Sequence, residues 1–226
     1  MRGSSFFLLV VAAAAAIALL AYRNWKKERQ RRDLLFVWAT NSGYTFSVED
    51  DSWCERWQGA PFDQGDHRRA RNVVTGRLAD FPLTAFDYSF ETHSSDGRGS
   101  RTTTTHRFAV AALQLPGYLP TLQVTPENLL TRIGNAIGLD DVELESEEFN
   151  RAFRVHATDR KFASDVLTPR TMEFLLTRRD FSWRIEGADI IGWQNGEMTP
   201  AVAVAMSSTL QRVATGIPSF VWKDHS

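Results

Sequence analysis

The chain has 226 residues, with 26 Lys and Arg against 27 Asp and Glu, five His and a single Cys. One cysteine, Cys54, excludes an intrachain disulfide and any Cys-based metal site. Seven of the cations but only one acid precede Asp33, which leaves 19 cations against 26 acids from there onward and argues against nucleic acid as a partner.

A short tail (1–5) leads into residues 6–22, which contain no charge, proline or glycine. As a helix this run is about 25 Å long, close to the roughly 30 Å of a bilayer core, and a transmembrane helix is expected. A cleaved signal peptide fits less well. Only Arg2 precedes the run, and Leu19-Leu20-Ala21 is a poor cleavage site. Residues 23–33 form a basic collar with Arg23, Lys26, Lys27, Arg29, Arg31 and Arg32. By the positive-inside rule the expectation is a single-pass protein of the cell membrane, with its N-terminus outside and its C-terminal domain cytoplasmic. An exported domain is the alternative. The helix and collar would meet membrane lipid, the collar acting as a topology signal more than as a specific lipid site.

Residues 34–226 are long enough for one α+β domain or two packed halves, about 34–124 and 125–226. Residues 33–43 read as a short helix with Leu34, Leu35 and Trp38 on its apolar stripe, ended by Asn41-Ser42-Gly43. Residues 50–71 lack a clear period and read as a long ordered loop anchored by Trp53, Trp57 and Phe62. Cys54 between the two tryptophans reads as a buried, inert thiol.

Strands are expected at 72–78, 84–91, 106–115 and 122–124, giving an antiparallel meander. In the second of these, Phe86, Tyr88 and Phe90 alternate with Asp87, Ser89 and Glu91, which assigns the acidic set to a wet face. The strand at 106–115 is apolar on both faces, and so central. The intervening polar stretch 92–105 reads as a mobile connection turning at Asp96-Gly97.

Three Thr-Pro pairs at 125–126, 168–169 and 199–200 each offer a hydroxyl cap and a proline at the first helical position. The first helix would carry Leu129, Leu130, Ile133 and Ile137 and stop at Gly138. The second would carry Met172, Leu175 and Leu176, and the third Val202, Met206, Leu210 and Val213. Ser146 caps a short helix with Phe149 and Phe153. Residues 181–186 and 190–194 read as a hairpin turning at Gly187-Ala188-Asp189. Strands and helices mix without βαβ alternation, so the fold class is α+β with antiparallel sheet.

Several phrases carry a resemblance: Glu148-Phe149, Phe153-Arg154-Val155, Asp159, Leu167-Thr168-Pro169 and Met172-Glu173, with "PTLQVTPENLL" and "GIPSFVW" on either side. Over roughly 34–222 the chain resembles an uncharacterised family of actinobacterial-type bacterial proteins. These pair N-terminal membrane segments with a C-terminal domain of unknown function. The resemblance implies a membrane-tethered domain and assigns no chemistry.

No P-loop, dinucleotide fingerprint, G-x-S-x-G, H-E-x-x-H or EF-hand loop is present. The best polar cluster is Asp63, Asp66 and His67, followed by Arg68, Arg69 and Arg71. Such ligands could hold a metal and such arginines an anion, but a solvated loop with local ion pairs is the favoured reading. His156 beside Asp159 could act as an acid–base pair, though a capping Asp explains it as well. No cofactor or metal centre is therefore implied. The expected function is a membrane-tethered cytoplasmic binding or scaffold module with a protein partner. The alternative is a hydrolase-type enzyme whose site is assembled from distant segments.

Overall fold

The computed structural model describes residues 2–95, 101–132 and 139–224, apart from the side chains of 2–10, 12 and 130–132. The first element is one unbroken helix, α1 (Arg2–Asn41). No proline or glycine interrupts residues 4–42, so the apolar run, the collar and the expected short helix fuse. It stops where expected: Gly43 takes φ +70°, and Tyr44 N–H donates to Ala39 O at 2.8 Å.

The transmembrane helix expected over 6–22 is corrected by the structure. Among the described residues no helix is long and apolar enough to cross a membrane. Two physical features accompany this. Seven of the run's residues are alanine, which favours lipid only weakly, and the run continues without a break into the charged collar. The far end of the helix is committed to protein, because Leu35 and Ala39 are fully buried against the domain.

The rest is α+β with a seven-stranded antiparallel sheet. In chain order the strands are β1 (Thr45–Glu49), β2 (Asp66–Leu78), β3 (Phe81–Ser95), β4 (Arg101–Pro126), β5 (Asp140–Asp141), β6 (Phe153–Ala157) and β7 (Ser182–Asn195). The helices are α2 (Glu147–Ala152), α3 (Arg160–Val166), α4 (Pro169–Leu176), α5 (Pro200–Gly216) and α6 (Ser219–Asp224). The expected meander is β2 to β4, with the strands expected at 106–115 and 122–124 joined as the single strand β4, and β1 is an addition to it. β4 is central: its first half lies between β3 and β7, its second between β6 and β7. The register shifts between Gln114 and Leu119, where Pro116-Gly117 breaks the ladder.

Each face of the sheet carries its own core. Leu83, Ala85, Ala111 and Leu113 face α3, α4 and α5 and join Phe149, Phe162, Leu175, Met206 and Leu210. Phe86, Tyr88, Val110 and Trp193 point the other way, onto Cys54, Trp57 and Phe62. Alternation along β3 and β4 divides the two sets. The segment 50–65 therefore works as a plug, and the expected anchors Trp57 and Phe62 are buried at 2% and 0% exposure.

Four local expectations change. β2 starts at Asp66, inside the stretch read as loop. Within the polar stretch 92–105, residues 92–95 and 101–105 are paired strand, with Thr92 opposite Thr104 and Ser95 opposite Arg101, and the expected turn at Asp96-Gly97 lies outside the described residues. β-branched threonines suit a pleated surface even without burial. Residues 182–195 form one strand instead of a hairpin: Gly187, at φ +60°, bends it to follow β4. After Pro126 the chain forms a 3-10 helix (Glu127–Arg132) in place of an α-helix. The expected stop at Gly138 lies outside the described residues. Thr125, the first expected Thr-Pro cap, lies in β4 and its hydroxyl accepts from Gln123 Nε2, but the other caps behave as the sequence indicates. Ser146, Thr168 and Thr199 accept from Phe149 N, Thr171 N and Val202 N, at 3.3, 3.3 and 3.2 Å.

Candidate functional site

The collar folds back onto the domain. Arg31 Nη1 donates to Asp87 Oδ2 at 2.7 Å and to the carbonyl of Met198 at 2.7 Å, and Nη2 donates to Glu28 at 2.8 Å. Arg31 Nε lies 3.2 Å from Glu197 Oε2. Burial alone would lower the Arg31 pKa, but the hydrogen bond to Glu28 and the charge of Asp87 outweigh it and raise the value. The guanidinium is thus held charged where α1 meets the sheet.

Asp87 completes this junction. It also accepts from Asn72 Nδ2 at 2.7 Å and from Met198 N–H at 2.6 Å. Asn72 is 1% exposed and adopts φ +51° at an irregularity of β2, a conformation asparagine tolerates better than most residues. The side of β3 expected to be wet is therefore covered at Asp87 by α1.

Beside the junction is a cleft of about 520 Å³, lined by α1, β2, β3 and the end of β7. Its charged lining comprises five cations (Lys27, Arg31, Arg32, Arg71, Arg107) and three carboxylates (Glu28, Asp87, Glu197). All three carboxylates converge on Arg31. Arg71 leans toward Glu49, 3.7 Å away. Five cations against three carboxylates leave the lining with a net charge of +2, and Arg32 Nε is buried without a hydrogen-bond partner. An anion entering the cleft would meet donors whose own acids are engaged elsewhere.

The plug is held by a second polar group. Asp189 accepts from Arg56 Nε at 2.9 Å and Nη2 at 3.1 Å, and from Trp57 Nε1 at 3.0 Å. Arg184, only 5% exposed, bonds Glu186 at 2.7 Å and the carbonyl of Gln58, and lies over the Trp193 ring at 5.6 Å. Its pKa is lowered by burial, against the opposing pull of Glu186. Arg56, Trp57 and Gln58 tie segment 50–65 to β7 through Asp189 and Arg184, so this group is architecture.

The polar residues singled out in the sequence do not form one site. Asp63 pairs with Arg68 at 3.4 Å. Asp66 and His67 instead meet the hairpin residues His93 and Glu91, at 3.8 and 3.3 Å. Asp159 caps α3, accepting from Lys161 N at 2.8 Å, and His156 Nδ1 is buried without a partner. In the collar, Arg29 sits over the Trp25 ring at 5.5 Å, and Tyr22 and Trp25 are exposed. Sequence reasoning missed Asn72, Asp87, Arg107 and Glu197 because none sits in a motif. The one available signal was indirect: an alternating strand can have its polar face covered by a charged helix.

Comparison with known proteins supplies two matches. Residues 120–185 match a family model described as a protein of unknown function, DUF3137. This agrees with a domain of unknown function in an uncharacterised family. No curated protein matches. Among solved structures, the crystal structure of the mycobacterial trehalose monomycolate transport factor A, TtfA, is similar, with TM-score 0.58 and 15% identity. The similarity covers 83% of this chain and 92% of that one, and at this identity it shows the fold alone.

Proposed function

We propose that the chain is a non-catalytic binding or scaffold module of a transport system, and that it holds an anionic group of its ligand or partner in the cleft between α1 and the sheet. The observation that carries this reading is the charge arrangement: five cations against three carboxylates give the lining a net charge of +2, and all three carboxylates are engaged by Arg31. A catalytic cleft would ordinarily keep a carboxylate or imidazole poised as base. Here the acids are locked in the junction. Transport enters by analogy, from the fold shared with the transport factor over most of both chains.

Complementation of a deletion strain tests the proposal. Loss of the gene should slow export of an amphiphilic envelope cargo, followed by pulse labelling. The wild-type chain should restore export, and an Arg32→Ala/Arg107→Ala chain expressed at equal level should not. Export at the normal rate in the deletion strain would overturn the transport reading. Full rescue by the double variant would overturn the assignment of the cleft.

A further inference from the structure

The geometry points to a divalent transition-metal site formed by His67, Glu91 and His93, with Asp66 in reach as a fourth ligand. It lies at the outer end of the β2–β3 pairing, on groups that the proposed function does not use.

Three ligand atoms converge there. One from each of His67, Glu91 and His93 lies within 4.8 Å of the other two. His67 Nδ1 is 3.3 Å from Glu91 Oε2, and His93 Nε2 is 3.8 Å from Asp66 Oδ2. Ligands around one zinc-sized ion sit about 2.0–2.2 Å from it, so they are roughly 3–3.5 Å apart. Small side-chain rotations close the remaining gap. Two imidazoles and a carboxylate favour zinc and its d-block neighbours over calcium or magnesium, which prefer all-oxygen shells.

The backbone is built to make this meeting. Glu91 and His93 are two apart on β3, and so share a face. Asp66 is the register partner of Glu91, and the pairing slips between Asp66 and Arg69. Within that slip, inside β2, His67 takes φ +51°, a conformation uncommon for a non-glycine residue, and its Nδ1 meets Glu91. Gly65 permits the close approach: a Cβ there would stand 2.2 Å from the carbonyl oxygen of Glu91. Strained backbone next to convergent ligands is a mark of a functional site.

His93 also has the outer partner that metal-binding histidines use. Its Nδ1 is 3.0 Å from Thr103 Oγ1, its register partner on β4. That contact orients the ring and leaves Nε2, on the Asp66 side, for a ligand. The other hairpin histidine, His106, is already occupied: its Nε2 meets Thr92 Oγ1 at 2.9 Å and its ring stacks on Phe90 at 4.7 Å. It serves as a control. A bound ion would join the start of β2 to the β3–β4 arm, fastening the rim of the aromatic plug.

The test uses the full-length chain without a histidine tag, stripped with chelator and titrated with Zn²⁺ by calorimetry and with Co²⁺ by visible absorption. One ion per chain is expected, with Co²⁺ d–d bands of a nitrogen- and oxygen-ligated site. His67→Ala and His93→Ala should each weaken binding at least about tenfold, and Thr103→Val should weaken it by about ten- to a hundredfold as loss of an outer partner. His106→Ala should bind like wild type. His67, His93 and Thr103 are exposed and His106 is half-buried, and unchanged circular dichroism will show that each variant is folded. Absence of saturable binding, or equal affinity in the His67→Ala/His93→Ala double variant, overturns the site.

Discussion

Arg31 of α1 and Asp87 of β3 lie 56 residues apart in sequence and 2.7 Å apart in space. Their side chains are only 13% and 16% exposed. This contact turns a run of collar charge into part of the domain. It also leads to the first prediction. Asp87→Ala removes one acceptor shared by Arg31, Asn72 and Met198 N–H; Arg31 keeps Glu28 and Glu197, while the buried Asn72 amide and the Met198 N–H lose theirs. Leaving a buried donor unsatisfied costs roughly 1–3 kcal/mol. Urea unfolding followed by tryptophan fluorescence should show a midpoint clearly below wild type. Asp87→Asn, which keeps one acceptor oxygen for Asn72 or Met198 N–H, should lose less than Asp87→Ala. A wild-type midpoint for Asp87→Ala would mean that α1 is not docked through this pair.

The plug over the second core makes a separate prediction. Asp189 takes three donors from Arg56 and Trp57, and Arg56 also lies over the Trp53 ring at 5.0 Å. Asp189→Ala should release the 50–65 segment locally while the helix-side core stays intact. Hydrogen exchange should rise over residues 51–62 and stay unchanged in α4 and α5. Uniform acceleration across the chain would instead make Asp189 a determinant of global stability.

Local chemistry was the part of the fold legible in the sequence. Alternation at 84–91 gave β3, and the doubly apolar 106–115 gave the central strand. Ser146, Thr168 and Thr199 cap helices as a hydroxyl before an apolar stripe leads one to expect, whereas Thr125, read by the same rule, stays in β4. The candidate site was less legible. Asp87 reads as a solvent-facing acid until α1 is laid over it, and helix-on-sheet docking has no local signature. His67 was visible as a candidate, but its partners Glu91 and His93 lie across a strand pairing whose register depends on a bulge. The 182–195 strand was misread for a related reason. Gly187-Ala188-Asp189 has turn composition, yet β4 bends at Pro116-Gly117 and β7 needs a glycine to follow it.

The block of sequence that carries the family resemblance should behave as packing. Phe149 is fully buried and stacks on Phe153 with ring centroids 4.7 Å apart. Phe149→Ala should cost about 3–5 kcal/mol, the range for emptying an aromatic site in a core. Chemical denaturation should report a large drop in midpoint with little change in slope. His156→Ala and Asp63→Ala should shift the midpoint far less. Near-wild-type stability in Phe149→Ala would move this block from architecture to function.

The last prediction follows from Cys54. The thiol is 4% exposed, and its pKa is pushed up from the ordinary 9.0 to about 12. Burial is the main cause; the Asp51 charge adds to it, and Arg68 and Arg69 oppose it. Between pH 9.0 and about 12 the folded chain therefore keeps a proton that the unfolded chain has lost. More protons bound in the folded state means that stability falls as pH rises through this window and is fully present below it. Burial raises the Tyr88 pKa in the same sense, so the wild-type decline has two contributors. Cys54→Ala removes the thiol contribution and should flatten the decline above pH 9, on the order of one to a few kcal/mol by pH 12. Unfolding midpoints from pH 7 to 12 for both chains measure the difference. At pH 8 iodoacetamide should leave native Cys54 unmodified and label it only in denaturant. Parallel alkaline profiles in the two chains, or rapid labelling of the native thiol, would show that Cys54 is hydrated and that the plug does not seal the second core.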